Sequence, residues 1–185
     1  MSVFENHDPD SLIGSVLDGR FRLETELSRV TASTTYSATD LLSQLTVVLR
    51  LFSAEFSIGN GAALLEQAAV MRQIDHPHIV RLTSFGRTAV KETDRVYVVH
   101  EQLLGGSLQD MIDRNRLLTP SQALVVGVEV CRALDYAHKR GLAHHDLRPS
   151  VIMFGEDARV RVADIGISSV IAESAWEDNA MISLE

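Results

Sequence analysis

Within the stretch GLAHHDLRPSVIMF, residues 141–154, the carboxylate of Asp146 stands two residues before the guanidinium of Arg148. Such a pair offers a proton acceptor next to a cation that can steady an anion. Chemistry on a phosphate would also want a metal ligand a few residues on, and there the chain has Val151, which is aliphatic. A second carboxylate, Asp164, ends the short apolar run VRVAD, and a cation, Arg50, ends the run VVLR. His76, His78, His144 and His145 suggest a metal site at first sight. That reading is set aside, because adjacent side chains point in different directions and HPHIV reads as a turn leading into a strand.

These groups must be held by ordinary secondary structure, and the sequence predicts it in order. RFRLETEL, TTYSATD and LTVVLRLF read as three strands of an antiparallel meander. NGAALLEQAAVMRQI changes to helical spacing, with Leu64, Leu65, Ala68 and Met71 on one face, and DHPHIV stops it. IVRLTSFGRT and RVYVVHEQL read as two further strands around the turn VKETD, which makes five strands and one helix. After Gly106 the pattern is helical. SLQDMIDRN is short, and a long, buried helix has Thr119 as N-cap, Pro120 at the first position and Gly141 as its stop. VIMF and VRVAD then form two short strands around GEDA, and the tail AESAWEDNAMISLE is acidic.

A chain of 185 residues, 45% hydrophobic and 23% charged, is long enough to fold around a real core as one domain or two small lobes. The net charge of -8 argues against a nucleic-acid partner, since phosphate backbones are bound by clustered Lys and Arg. No apolar run is long enough to span a bilayer, and the start MSVFENHDPD is no secretory signal. The single cysteine, Cys131, cannot form an internal disulfide and is read as a small buried side chain; a reducing cytoplasm is the expected location. Residues 1–18 read as a flexible leader, so that the fold begins near Gly19.

Taken together, DHPHIV, GGSL, GLAHHDLRPSVIMF and VRVADIGIS resemble, in order and separation, the Hanks-type serine/threonine protein kinases, particularly the bacterial ones, from about residue 20 to 170. The resemblance implies an α+β, two-lobed fold. Residues 19–103 would form the small lobe, a five-stranded antiparallel sheet with one helix. Residues 104–170 would form part of a helical large lobe, and 171–185 the start of an activation segment with an acidic tail. It also implies a nucleotide cleft made by Ser28, Ser33, Val48, Arg50, Glu66, Glu101 and Leu103, catalysis by Asp146 and Arg148, and a metal at Asp164.

Several of these positions depart from the family's pattern. Ser28, Val30 and Ser33 stand where three glycines let backbone N–H groups approach phosphates. Arg50 replaces the lysine that pairs with the α and β phosphates, and a guanidinium is not a conservative substitute there. Val48 replaces the small alanine over the adenine, His145 the arginine that docks a phosphorylated loop, and Val151 the asparagine that holds the second Mg²⁺. The expected internal packing column is filled by Val70, Leu82, Ile165 and His144, and Glu66 with Arg50 is read as a structural ion pair.

The sequence therefore predicts a pseudokinase: a regulatory or protein-interaction module with no resident cofactor, its catalytic residues vestigial. The alternative is a weak or atypical ATP-dependent serine/threonine kinase using Mg²⁺ with Arg50, Asp146 and Asp164. Relatives continue to an A-P-E motif and further helices that this chain does not reach. The long helix, through Leu124, Val128 and Leu134, is then expected to meet a protein partner or a second copy.

Overall fold

A computed structural model describes residues 11–171 of the chain. Its strands are β1 Val16–Leu17, β2 Phe21–Val30, β3 Ser33–Asp40, β4 Leu45–Phe52, β5 Leu82–Val90 and β6 Thr93–Glu101. They form one antiparallel sheet in the order β1-β2-β3-β4-β6-β5, with the helices α1 Ala54–Gly59 and α2 Gly61–Met71 inserted between β4 and β5. The helices α3 Leu108–Asp113 and α4 Pro120–His138 and the hairpin of β7 Ile152–Phe154 with β8 Val160–Val162 form the second lobe. The α+β, two-lobed, kinase-like expectation holds. The acidic tail read at the end of the activation segment, from residue 172 onward, lies outside the described residues.

Alternation along the strands gives the sheet two apolar faces. Phe21, Leu23, Tyr36, Leu49, Tyr97 and Val99 pack together on the outer face. Phe52, Val96 and Val98 pack on the inner face against Leu64, Ala68 and Met71 of α2, and this core continues into Ala133, Ala137, Val160, Val162 and Ile165 of the second lobe. Each large aliphatic side chain so buried is worth roughly 1.5–3 kcal/mol.

Two boundaries differ from the expectation. The stretch read as leader up to residue 18 carries β1, which pairs with β2 through Val16–Arg22 and Leu17–Phe21; Leu17 is buried, and the Tyr97 hydroxyl donates to Asp18 Oδ2 at 2.6 Å. Residues 1–10 lie outside those described. Ahead of the expected helix, Ser53 caps the short α1 by accepting from the Phe56 N–H at 3.2 Å, and Phe56 stacks on Phe52 with ring centroids 4.7 Å apart.

Helix α4 starts as read. Thr119 and Gln122 exchange side-chain-to-backbone bonds in a capping box, Pro120 opens the helix, and Gly141, at φ 73°, ends the turn beyond it. The helix is not buried all round: Val126, Val130, Ala133 and Ala137 form its covered stripe, while Leu124 is 70% exposed and Val125 and Val128 are also exposed. Cys131 lies on that exposed side, against the expectation that it is buried. Leu134, by contrast, packs against the core.

The lobes meet along residues 78–80. Val80 N–H donates to Val162 O at 3.0 Å, Val162 N–H to His78 O at 2.9 Å, and the His78 imidazole Nδ1 to Val160 O at 3.0 Å. Glu129 of α4 accepts from the Val160 N–H at 2.8 Å, fixing the same strand from the other side.

Candidate functional site

The inner face of the sheet forms one wall of a cleft. Register pairs Thr35 with Arg50, Ser37 with Val48, and Val48 with His100, so these five side chains share the face of Phe52 and Val98. The opposite wall is the turn after β8. His144 is buried, and its Nε2 donates to Ala163 O at 2.8 Å; Gly166 N–H donates to Ala143 O at 3.3 Å. These bonds hold Asp164 in a left-handed conformation at φ 59° and turn its carboxylate toward the sheet.

There Arg50 Nη1 donates to Asp164 Oδ2 at 2.9 Å, with both side chains about four-fifths buried at 19% and 18% exposure. Burial opposes the charge on Asp164, but Arg50, with a lesser contribution from His100, more than offsets it, and the carboxyl is held below the usual range. Glu66, expected as the partner of Arg50, is exposed on the outer side of α2. The residue that faces inward is Gln67: a side chain built at Gly166 would meet its Nε2 at 3.0 Å and Met71 Sδ at 2.9 Å.

Helical phase explains both corrections in α2. Leu64, Ala68 and Met71 set the buried stripe; Gln67, three residues after Leu64, falls beside it, whereas Glu66 falls outside. For the same reason Met71, buried to 2% exposure, fills the packing position expected of Val70, which is 44% exposed. The other three residues of the expected packing column, Leu82, Ile165 and His144, are buried.

His100 was not singled out by the sequence. It is 7% exposed, and its Nε2 is the one buried side-chain polar atom without a hydrogen-bond partner among the described residues. Burial drives its pKa down to about 4, with Asp164 opposing and Arg50 adding to the fall, so the ring is neutral at pH 7. The alternation of β6, with Val96 and Val98 inward, is the signal that could have placed it in the cleft.

Asp146 and Arg148 pair with each other at 2.9 Å, and both side chains are 54% exposed. Val151 follows on a single 3₁₀ turn and is buried at 5% exposure. Ser28 and Ser33 lie on the β2–β3 hairpin, whose ladder runs up to the pair Val30–Ser33. Glu101 turns toward Arg81, accepting its backbone N–H at 2.9 Å, while Leu103 is half-buried on the link to the second lobe.

A conventional Mg²⁺-nucleotide site is a poor match for these residues. One carboxylate faces the cleft and is already held by a guanidinium, the second ligand position is aliphatic, and the hairpin lacks glycines over the phosphates. No group of three or more His, Cys, Asp or Glu side chains among the described residues could hold a metal ion.

The protein kinase domain profile matches residues 21–184. The chain is 26% identical over 166 residues to the probable serine/threonine-protein kinase PknB of Lactococcus lactis, covering 88% of this chain and 26% of that protein. It is 30% identical over 162 residues to CBL-interacting protein kinase 4 of Oryza sativa, covering 85% and 35%. It thus spans roughly a quarter to a third of these relatives. Among solved structures, a mutant form of the Mycobacterium tuberculosis PknI kinase domain matches with a TM-score of 0.70 at 24% identity, over 84% of this chain and 62% of that one.

Proposed function

The chain belongs to the protein kinase domain family, and we propose that within it this domain is a pseudokinase, a cytoplasmic regulatory and protein-interaction module that does not transfer phosphate. The observation that carries this reading is the Arg50–Asp164 ion pair. Phosphoryl transfer needs one group free for the phosphates and the other free for the metal. Here each neutralises the other, and Val151 supplies no second ligand.

The exposed apolar side of α4 supports the interaction role. Leu124, Val128 and Cys131 line one shallow apolar surface, and burying it against a second copy removes its exposure to water. A weak kinase is the second reading, favoured by the retained Asp146–Arg148 pair.

Nucleotide binding separates the two readings. Thermal unfolding of the purified protein is expected to move by less than about 1 °C with millimolar ATP, with or without Mg²⁺. A rise of several degrees that requires Mg²⁺ and is lost in Asp164→Asn, together with phosphate transfer lost in Asp146→Asn, would establish the kinase reading instead.

A further inference from the structure

A cavity of about 600 Å³ lies in the second lobe between α3, α4 and the β7–β8 hairpin, and none of the cleft residues lines it. Its walls are apolar: Met111 of α3, Leu118 ahead of α4, Val125 and Val126 on α4, and Phe154 and Val160 of the hairpin. Helical spacing builds one side, since Gln122, Val125, Val126 and Glu129 recur at three, four and seven residues and so share a face of α4. The hairpin is pinned opposite that face: Gly105 N–H donates to Phe154 O at 3.0 Å and Phe154 N–H to Gly106 O at 2.9 Å.

Among the described residues, Glu129 is the only ionisable side chain in that lining. Its side chain is 17% exposed, and one carboxylate oxygen, Oε2, accepts the Val160 N–H at 2.8 Å. The second oxygen, Oε1, accepts no hydrogen bond, yet it is not sealed off, because His100 Nε2 alone among the described residues is both enclosed and unpartnered. Oε1 therefore opens onto the space that Glu129 lines. No lysine or arginine among the described residues pairs with this carboxylate; the nearest ring nitrogen, His78 Nδ1, is 3.8 Å from Oε2 and spends its hydrogen on Val160 O. Arg159 and Arg161 flank Val160, alternate to the other side of the strand, and lie 3.9 and 3.3 Å from Asp157. The Gln122 oxygen is taken by Thr119 in the capping box. A carboxylate set in an apolar wall without a cation is the arrangement that an entering ammonium relieves.

We propose that this cavity binds a small apolar amine, with its hydrocarbon or aromatic body among Met111, Val125 and Phe154 and its ammonium on Glu129 Oε1. Mostly apolar walls with one charged anchor, around a space of this size, are the usual build of a small-molecule site. An anionic ligand of the same shape is repelled by Glu129, and a neutral alcohol forfeits the charge-assisted bond. The site stands independently of whether the cleft binds nucleotide.

The test is a titration of the full chain, ¹³C-labelled at its methionine methyl groups, with phenylbutylamine and, separately, with phenylbutanol and phenylbutanoate. The Met111 methyl signal should shift and saturate at millimolar amine while that of the buried Met71 stays in place; the alcohol should bind about tenfold more weakly and the carboxylate not at all. Glu129→Gln keeps an acceptor for the Val160 N–H, so the fold is retained, and it should bring the amine down to the affinity of the alcohol. Val125→Arg, at an exposed position in the cavity wall, should abolish binding, and Leu124→Gln, on the neighbouring exposed face of α4, should leave it unchanged. Equal affinity for amine and alcohol, an amine affinity that survives Glu129→Gln, or one lost in Leu124→Gln would overturn the proposal. Binding of the blocked peptide Leu-Lys-Leu at the same methyl, about tenfold tighter than the amine, would overturn the small-molecule assignment in favour of a protein partner.

Discussion

Arg50 and Asp164, 114 residues apart in the chain, meet at 2.9 Å and join the small-lobe sheet to the turn after β8. Removing one partner leaves the other charge buried and uncompensated. Arg50→Ala and Asp164→Ala are each expected to destabilise the fold by about 3 kcal/mol. The double replacement Arg50→Ala with Asp164→Ala should cost clearly less than the sum. Urea unfolding of the four proteins in a double-mutant cycle checks this.

His100 predicts a pH dependence. An unfolded histidine titrates near 6.5, whereas the buried ring titrates at about 4. Between those values the unfolded chain binds the proton and the folded chain does not, so stability falls as pH falls through that window, by about 3 kcal/mol in all. Above pH 6.5 the ring contributes no slope. His100→Leu should flatten the curve between pH 4 and 6.5, leaving a smaller slope from His76, which burial also depresses. Chemical denaturation at half-unit pH steps measures it.

Two glycines should respond in opposite directions to alanine. A Cβ at Gly105 would stand 2.5 Å from Phe154 O, against backbone that cannot retreat, so Gly105→Ala should cost about 2 kcal/mol or more. Gly127 lies inside α4 with open space around it, and Gly127→Ala should stabilise by about 1 kcal/mol. Melting temperatures of the two variants compared with the parent decide it.

If α4 mediates self-association, Leu124→Glu with Val128→Glu should shift the protein toward monomer in light scattering at tens of micromolar, with folding intact because both side chains are exposed. Leu134→Glu should unfold it instead, since Leu134 packs against the core. Association unchanged by the double glutamate variant would move the interface elsewhere.

What can be read from the sequence is what local chemistry dictates. Thr119, Gln122, Pro120 and Gly141 mark α4 because a capping box, an opening proline and a left-handed glycine are each local devices. Strands β2 to β6 are legible for the same reason. Identity at one position is the weaker guide in α2, where Glu66 has the expected chemistry but the wrong helical phase, and Gln67 takes the inward place. The partner of Arg50 is not legible, because the choice of Asp164 depends on how one lobe sits on the other. β1 escapes notice because two residues carry no periodicity, and Cys131 misleads because an apolar helix reads as covered on every side.

The seam at residues 78–80 has a mechanical consequence. The lobes are connected by the covalent link after β6 and also stitched, close beside that link, by three hydrogen bonds between residues 78–80 and β8, because Arg81 and Glu101 are hydrogen-bonded to each other. A covalent link doubled by a neighbouring hydrogen-bonded seam is a stiffer and better-located pivot than a single strand of chain. The seam therefore fixes where one lobe pivots on the other, so His78, Val80 and Val162 help to set the spacing across which Arg50 reaches Asp164.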